Sequence, residues 1–547
     1  MKKIHRFMVL ILVMVFILGC IPTAATAPKT DQPIIADWIW NADLDHRGAE
    51  TVMKEHSEAG FTDVYLLCKG TRGTLSWDTA CDEAVKEYDY DLLADALKAA
   101  NRYGIRLHAW ITVGRDDHYI STHPKSNFYH FKYGYKSKLN CFCLGKDAES
   151  TCSLHPDAYV DLRNEAYLQY MERLVKELCL KYPTLAGIQL DTIRYGTLSY
   201  DWGTKTVSAI NSLEYTEAKI LRGEYNSTVK SLCVQQNYKY GKDDNGYLVY
   251  STKGTVSKGV TATGASFKNA LLGKSGTSEA MAGVAKIRDL RVNTVNECIR
   301  RIKAVMDEHA PQMLLTADIM PEVATSPYSQ AVYGQDPVEM SKLVDYLCIM
   351  SYSTEYGQSK SWPANCAKAL AKQGCKVLAG IQFYDSGEKE SEGPSSIRIY
   401  DEICQIKDAQ QAYSNILGYA AFRHGCGVYA GAYVDDAEKV LRIKIHNPIF
   451  NKENPNAAYP VVKLVIDLKN GAKAVKVAEE WKNCNYSIQE NGTRVVITGK
   501  FLGGMGSKNI TIFYKGDIDP TTEACCIRSF AKSGGQYPTL CNTIFPK

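Results

Sequence analysis

The chain has 547 residues, 45% hydrophobic and 23% charged, with a formal net charge of +4 at neutral pH. That length exceeds one small core and calls for a large domain with additions. The composition is that of an ordinary globular protein, and so small a charge, with no concentrated Lys/Arg patch, argues against a nucleic-acid partner.

The N-terminus carries an address. Met1-Lys-Lys-Ile-His-Arg6 is basic, and Phe7 to Leu18 is an apolar run too short to span a bilayer comfortably. Ile17-Leu-Gly-Cys20 then resembles a lipobox, which makes residues 1–20 an export signal and Cys20 the lipid-bearing first residue of a membrane-anchored lipoprotein. Cleavage within Thr23-Ala-Ala-Thr-Ala27 (plain secretion) and an uncleaved anchor are the alternatives, and all three require export. Residues 21–33 read as a polar linker.

From Ile34, apolar runs alternate with amphipathic helices eight times. The expected strands are Ile34–Trp40, Asp63–Lys69, Arg106–Val113, Ala186–Asp191, Met313–Ile319, Val344–Tyr352, Lys376–Phe383 and Ile416–Arg423. Unalternating apolar runs are the pattern of parallel strands covered by helices. Gly60, Gly104 and Gly374 fall where helices should stop. Eight such units over residues 34–450 predict a TIM (β/α)8 barrel in the α/β class, with a doubly wound open sheet as the alternative. No G-x-G-x-x-G or Walker pattern opens a helix, so no nucleotide cofactor is expected.

The connection after the fourth strand, about 197–284, is rich in Gly, Ser, Thr, Lys and Tyr, and its length suggests a small subdomain or lid rather than a plain loop. Past Asn451-Lys-Glu-Asn-Pro455, a linker, short strands with turns such as Asn491-Gly492 predict a small β domain over 456–547, ending in a Cys-bearing tail. The 18 cysteines include Cys141-Phe-Cys143 with Cys152, and Cys525-Cys526 near Cys541. Neither cluster has zinc spacing, no metal site is expected, and local disulfides suit an exported chain.

The residues at the strand ends form a coherent set. Trp40 ends the first strand, Lys69 the second, and His108 with Trp110 the third. Asp191, Arg194 and Tyr195 follow the fourth, Asp318 and Glu322 the fifth, Tyr352 and Glu355 the sixth, Tyr384 and Asp385 the seventh, and Arg423 with His424 the eighth. Carboxylates among aromatic faces suit glycosidic cleavage: one attacks or stabilises the oxocarbenium-like centre, another protonates the leaving oxygen, and rings stack on sugars. Asp191 is the first catalytic candidate and Asp318 the best acid, with Glu322 and Glu355 as alternatives. Arg194 should orient Asp191 and lower its pKa. Trp40, Lys69, His108, Trp110, Arg194, Tyr195, Tyr352, Tyr384 and Arg423 are the substrate-contact candidates. Each also has a structural reading, in His108's case a satisfied core histidine.

Leu107-His-Ala-Trp110, Val160-Asp-Leu162, Ala186-Gly-Ile-Gln-Leu-Asp-Thr-Ile-Arg-Tyr195, Gly334-Gln-Asp336 and Gly418-Tyr-Ala-Ala-Phe-Arg423 resemble the "family 10 glycosylhydrolase-like" barrel proteins. That group usually reads Asp-Gly-Ile-His-Phe-Asp-Tyr-Ile-Arg-Tyr-Pro at strand four; Ala186, Gln189, Leu190, Thr192 and Gly196 depart from it here. The resemblance implies a barrel hydrolase acting on a polysaccharide or oligosaccharide at the cell surface or in the environment, with no cofactor. A chitinase-like motif would need Glu where Ile193 stands, whereas amylase-like and galactosidase-like layouts put their nucleophilic Asp at the place of Asp191. A non-catalytic carbohydrate-binding or envelope-organising protein on the same scaffold is the alternative.

Overall fold

The computed structural model describes residues 32–123, 159–196, 239–242, 248–251, 278–384, 395–449, 459–478, 481, 483–504 and 506–546. The export signal with Cys20, the Cys141–Cys152 cluster, Asp385 and most of the 197–284 insertion lie outside them. Of the insertion, an antiparallel strand pair (Lys239–Lys242 with Leu248–Ser251) and the start of helix Ser278–His309 are described.

Eight parallel strands make the barrel: β1 Ile34–Ile39, β2 Asp63–Lys69, β3 Arg106–Thr112, β4 Gly187–Asp191, β5 Leu314–Ile319, β6 Tyr346–Ile349, β7 Val377–Gln382 and β8 Ile416–Phe422. Each pairs with its sequence neighbour, and β1 pairs with both β8 and β2, which closes the ring. The expected barrel is the observed one. Its helices obey local signals: Leu92–Tyr103 is capped by the Asp91 carboxylate and stopped by Gly104 in the left-handed region, and Glu165–Lys181 is capped by Asn164.

Period-two alternation sorts each strand. Leu107, Ala109, Ile111, Ile188, Leu190, Ala317 and Ile319 face outward into the main core shared with the helices. Trp38, Tyr65, Trp110, Tyr346, Cys348 and Ala420 cluster inside the barrel. Gln189 lies among them, accepting the Trp38 indole N–H at 2.7 Å and donating to Cys348 Sγ at 3.2 Å.

A β-sandwich follows. One sheet holds β9 Val428–Asp435, β10 Val440–Asn447, β12 Lys473–Val477, β15 Gly506–Lys515 and β18 Thr539–Ile544; the other holds β11 Val461–Leu468, β13 Cys484–Gln489, β14 Arg494–Leu502, β16 Cys525–Ala531 and β17 Gln536–Tyr537. The sandwich thus begins at Val428, ahead of the 450 boundary read from the linker. Its first strand, VYAGAYVD, is as apolar as a barrel strand. Gly431 in β9 is required by this docking: a Cβ there would lie 2.2 Å from the Glu58 carbonyl oxygen. Tyr419 on β8 donates to Asn542 at 2.6 Å, and Asn542 donates to the Ala59 carbonyl at 2.7 Å.

The cysteines that are described are free thiols, with Cys525 and Cys541 sulfurs 3.7 Å apart. No described helix is long and apolar enough to cross a membrane.

Candidate active site at the carboxyl end of the barrel

The inward columns of β4 and β5 end in Asp191 and Asp318. Asp191 is half-buried, and Asp318 is 3% exposed. Beyond β4 the chain turns sharply. Thr192 adopts a φ of +49°, a sparsely populated conformation for a β-branched residue, and its N–H donates back to Asp191 Oδ1 at 2.5 Å. The turn is pinned from β3, since the Val113 and Gly114 N–H groups donate to the Asp191 and Thr192 carbonyls at 2.8 and 3.0 Å. A Cβ on Gly114 would meet the Thr192 oxygen at 2.3 Å, so this position too must be glycine.

The two carboxyls differ in support. Burial raises the Asp191 pKa, while Arg194, the Thr192 N–H, the Trp110 indole and Arg115 all pull it back. Arg194 therefore acts in the expected direction, but burial outweighs it. Asp318 is pushed well above the ordinary carboxylate range by burial and then by the Asp191 charge, with Arg194 the opposing influence. Its Oδ1 is buried and has no hydrogen-bond partner. A proton on Asp318 and a charge on Asp191 is the arrangement this environment favours. Glu322, in the single turn Pro321–Ala324, is a third carboxyl raised by burial, and its Oε2 is also buried without a partner.

Gln335 ties the two strand ends together. Its Nε2 donates to the Asp318 carbonyl at 2.9 Å and the Ile193 carbonyl at 3.4 Å, and its Oε1 accepts the Met320 N–H at 3.0 Å. Arg194 donates to the Tyr159 hydroxyl at 3.1 Å and lies 5.9 Å from the Tyr333 ring.

An aromatic group lines the inside of β1, β3 and β8 and the chain leaving β6 and β7. Phe422 is its hub, 5.1 Å from Tyr352 in a stack, 5.7 Å from Tyr384, 5.8 Å from Trp38 and 6.2 Å from Trp110. Tyr384 donates to exposed Glu355 at 2.8 Å, which places that carboxylate at the rim.

Four of the expected substrate contacts have partners within the protein. Lys69 is fully buried, paired to Asp116 at 2.9 Å and donating to the Thr112 carbonyl, because the chain after β3 folds over it. His108 stands in the amino-terminal half of β3 and is fully buried against Asp63 at 2.8 Å, a core histidine. Tyr195 is fully buried beneath Gly334, with the Arg291 guanidinium 4.6 Å from its ring centre. Arg423 lies 3.5 Å over the Trp40 ring and donates to Asp43 at 2.9 Å, so these two candidates occupy each other and one face of Trp40 is covered.

Phe422, Arg115 and Gln335 had no assigned role in the sequence reading, whereas Glu322 was an alternative acid there. Strict alternation along β8 would have selected Phe422 over Arg423, since Ala420 already faces inward.

A separate buried group, Asp37, His56 and His424, brings three ligand-type atoms within 4.8 Å of one another. His56 Nε2 is 2.8 Å from Asp37 Oδ2, which also accepts the Tyr429 hydroxyl at 2.8 Å. Arg47 reaches to 3.5 Å from His424 Nε2. A carboxylate already hydrogen-bonded, with an arginine beside it, fits a polar seam between barrel and sandwich better than a cation site.

No family model matches the chain, and no curated protein matches its sequence. Among solved structures it is similar to the PgaB (BpsB) glycoside hydrolase domain from Bordetella bronchiseptica at 10% identity, covering 72% of this chain and 94% of that one, with a TM-score of 0.47. The catalytic domain of the β-amylase from Paenibacillus polymyxa is similar at 8% identity over 72% and 93% of the two chains, TM-score 0.43. The β-galactosidase from Bacillus circulans sp. alkalophilus follows at 11% identity over 72% and 50%, TM-score 0.43. At these values the likeness concerns the barrel architecture, which the strand order establishes independently, and carries nothing about substrate or mechanism.

Proposed function

We propose that this protein is a glycoside hydrolase in which Asp191 and Asp318 act on one glycosidic bond. The observation that carries the reading is the unlike pair at the ends of β4 and β5. One carboxyl accepts the Thr192 N–H and lies in the field of the Arg194 guanidinium, and the other is buried, has an oxygen without a partner and is pushed well above the ordinary range. Acid/base work at one bond needs this separation of protonation states. Asp318 donates its proton to the leaving oxygen, while ionised Asp191 serves the anomeric centre as nucleophile or as base for a water. The Phe422, Tyr352, Tyr384 and Trp110 rings supply the faces on which a sugar stacks. Hydrolysis should rise with pH as Asp191 ionises and fall as Asp318 loses its proton.

Export and lipid attachment at Cys20 complete the proposal, on the strength of the basic start, the apolar run and Gly19-Cys20. The substrate is then a surface or environmental polysaccharide. Cys20→Ser should release or mislocalise the protein; unchanged membrane partition of a processed variant would remove the lipid from the account.

The test is reducing-end release from a polysaccharide panel by wild type, Asp191→Asn and Asp318→Asn. Each variant should lose about 10²–10⁴-fold in rate while still binding the polysaccharide. Binding by the wild type with no release from any substrate would favour the non-catalytic reading.

A further inference from the structure

We propose that Cys525 and Cys541 are a built thiol pair that closes to a disulfide joining the two sheets of the sandwich. Cys525 opens β16 in one sheet, and Cys541 lies within β18 in the other. Both point into the sandwich core, where their sulfurs face each other at 3.7 Å. A disulfide needs about 2.05 Å, a closure of roughly 1.7 Å between side chains already opposed. Cys525 is fully buried and Cys541 is 8% exposed.

The neighbouring residue sharpens the assignment. Successive strand residues point to opposite faces, so Cys526 is directed away from Cys541 and lies 4.0 Å from the Ser396 carbonyl on the barrel side. The adjacent pair is therefore split between two environments, and one member has a partner within reach. The bond would also bear on the barrel. β18 runs parallel to β9 and carries Asn542, which binds both Tyr419 and the Ala59 carbonyl. Bridging it to β16 fastens the strand that latches the sandwich to the barrel.

The reaction is thiol–disulfide exchange with a small-molecule disulfide such as oxidised glutathione. One cysteine thiolate attacks the glutathione disulfide, forming a mixed disulfide and releasing one glutathione thiolate. The second cysteine then attacks the mixed disulfide and releases the other. The protein gives up two protons and two electrons, and the glutathione disulfide becomes two thiols. In the folded chain the adjacent Cys525 thiol and burial hold the Cys541 thiol well above its ordinary range, which disfavours the attacking thiolate. Closure therefore belongs to the stage when the strands assemble, and the same burial then shields the bond from reductants.

The experiment refolds the full chain from denaturant with oxidised glutathione or with dithiothreitol, alkylates the remaining thiols, and maps tryptic peptides without reduction. The oxidised sample should yield residues 516–528 linked to residues 533–547, with fragment ions assigning the link to Cys525. The Cys526→Ser variant should keep the linked pair and Cys525→Ser should lose it. The oxidised protein should melt about 5–10 °C above the reduced one. Alkylation of both Cys525 and Cys541 after oxidative refolding would overturn the proposal, as would a link through Cys526 or a lower melting temperature for the oxidised form. Wild-type mapping decides the question even if Cys525→Ser does not fold.

Discussion

Asp37 and Asp318 are both buried carboxyls on barrel strands, and burial raises both, yet they differ in the partners around them. Asp37 faces outward at the seam with the sandwich, and its Oδ2 has His56 at 2.8 Å and the Tyr429 hydroxyl at 2.8 Å, although its Oδ1 is buried without a partner. Asp318 faces inward at the carboxyl end of the barrel, with an oxygen that no protein group satisfies. A buried polar group that is partnered holds a structure together, whereas one left unpartnered costs stability. The seam thus reads as architecture and the barrel mouth as a place prepared for something that arrives.

Breaking the seam should have the largest effect on stability. Asp37→Ala leaves His56 and Tyr429 without their partner and should cost about 3–5 kcal/mol in urea denaturation, with activity per folded molecule unchanged. Asp318→Asn should be neutral or stabilising in the same measurement. A large destabilisation by Asp318→Asn would erase the contrast.

The pH dependence of stability separates the regions by sign. The Asp318 pKa is raised in the folded state, so folded protein binds its proton more tightly. Its contribution to stability therefore falls as pH rises from the unfolded value of about 3.9 through the folded one. Asp63 is opposite: burial raises its pKa, but His108, Arg106 and Thr62 more than offset that and leave it below the ordinary value. Its contribution is present above the unfolded pKa and is lost as pH falls through the folded one. Asp318→Asn should flatten the stability curve on the alkaline side of pH 4, and Asp63→Asn the acid side. Denaturation midpoints across pH check both.

Smaller effects grade the mouth itself. Gln335→Ala removes three hydrogen bonds around the ends of β4 and β5 and should lower kcat about tenfold, with KM nearly unchanged. A change in KM alone would make Gln335 a binding rather than a positioning residue. Tyr384→Phe removes only its bond to exposed Glu355 and should change stability by about 0.5–1 kcal/mol at most.

The barrel was legible because its signals are local: each strand is an apolar run, and Gly104 marks where a helix ends. Asp191 and Asp318 were legible because a carboxylate at the end of such a run has few structural uses. What could not be read was which of these side chains are already occupied. Lys69 is answered by Asp116, His108 by Asp63 and Arg423 by Asp43, partners brought close by strand register and loop folding. The sandwich boundary failed for a related reason: Val428–Asp435 carries the same local pattern as a barrel strand, and only pairing with β10 and β18 assigns it to the second unit.

The central claim is that Asp318 holds a proton that Asp191 does not. Titrating aspartate carboxyls by carbon NMR on selectively labelled protein, in wild type and Asp318→Asn, measures this without any substrate. The account predicts one aspartate signal titrating well above the ordinary carboxylate range, absent in Asp318→Asn, with the Asp191 signal moving to lower pH in that variant. An Asp318 carboxyl that titrates in the ordinary range, or below Asp191, would contradict it.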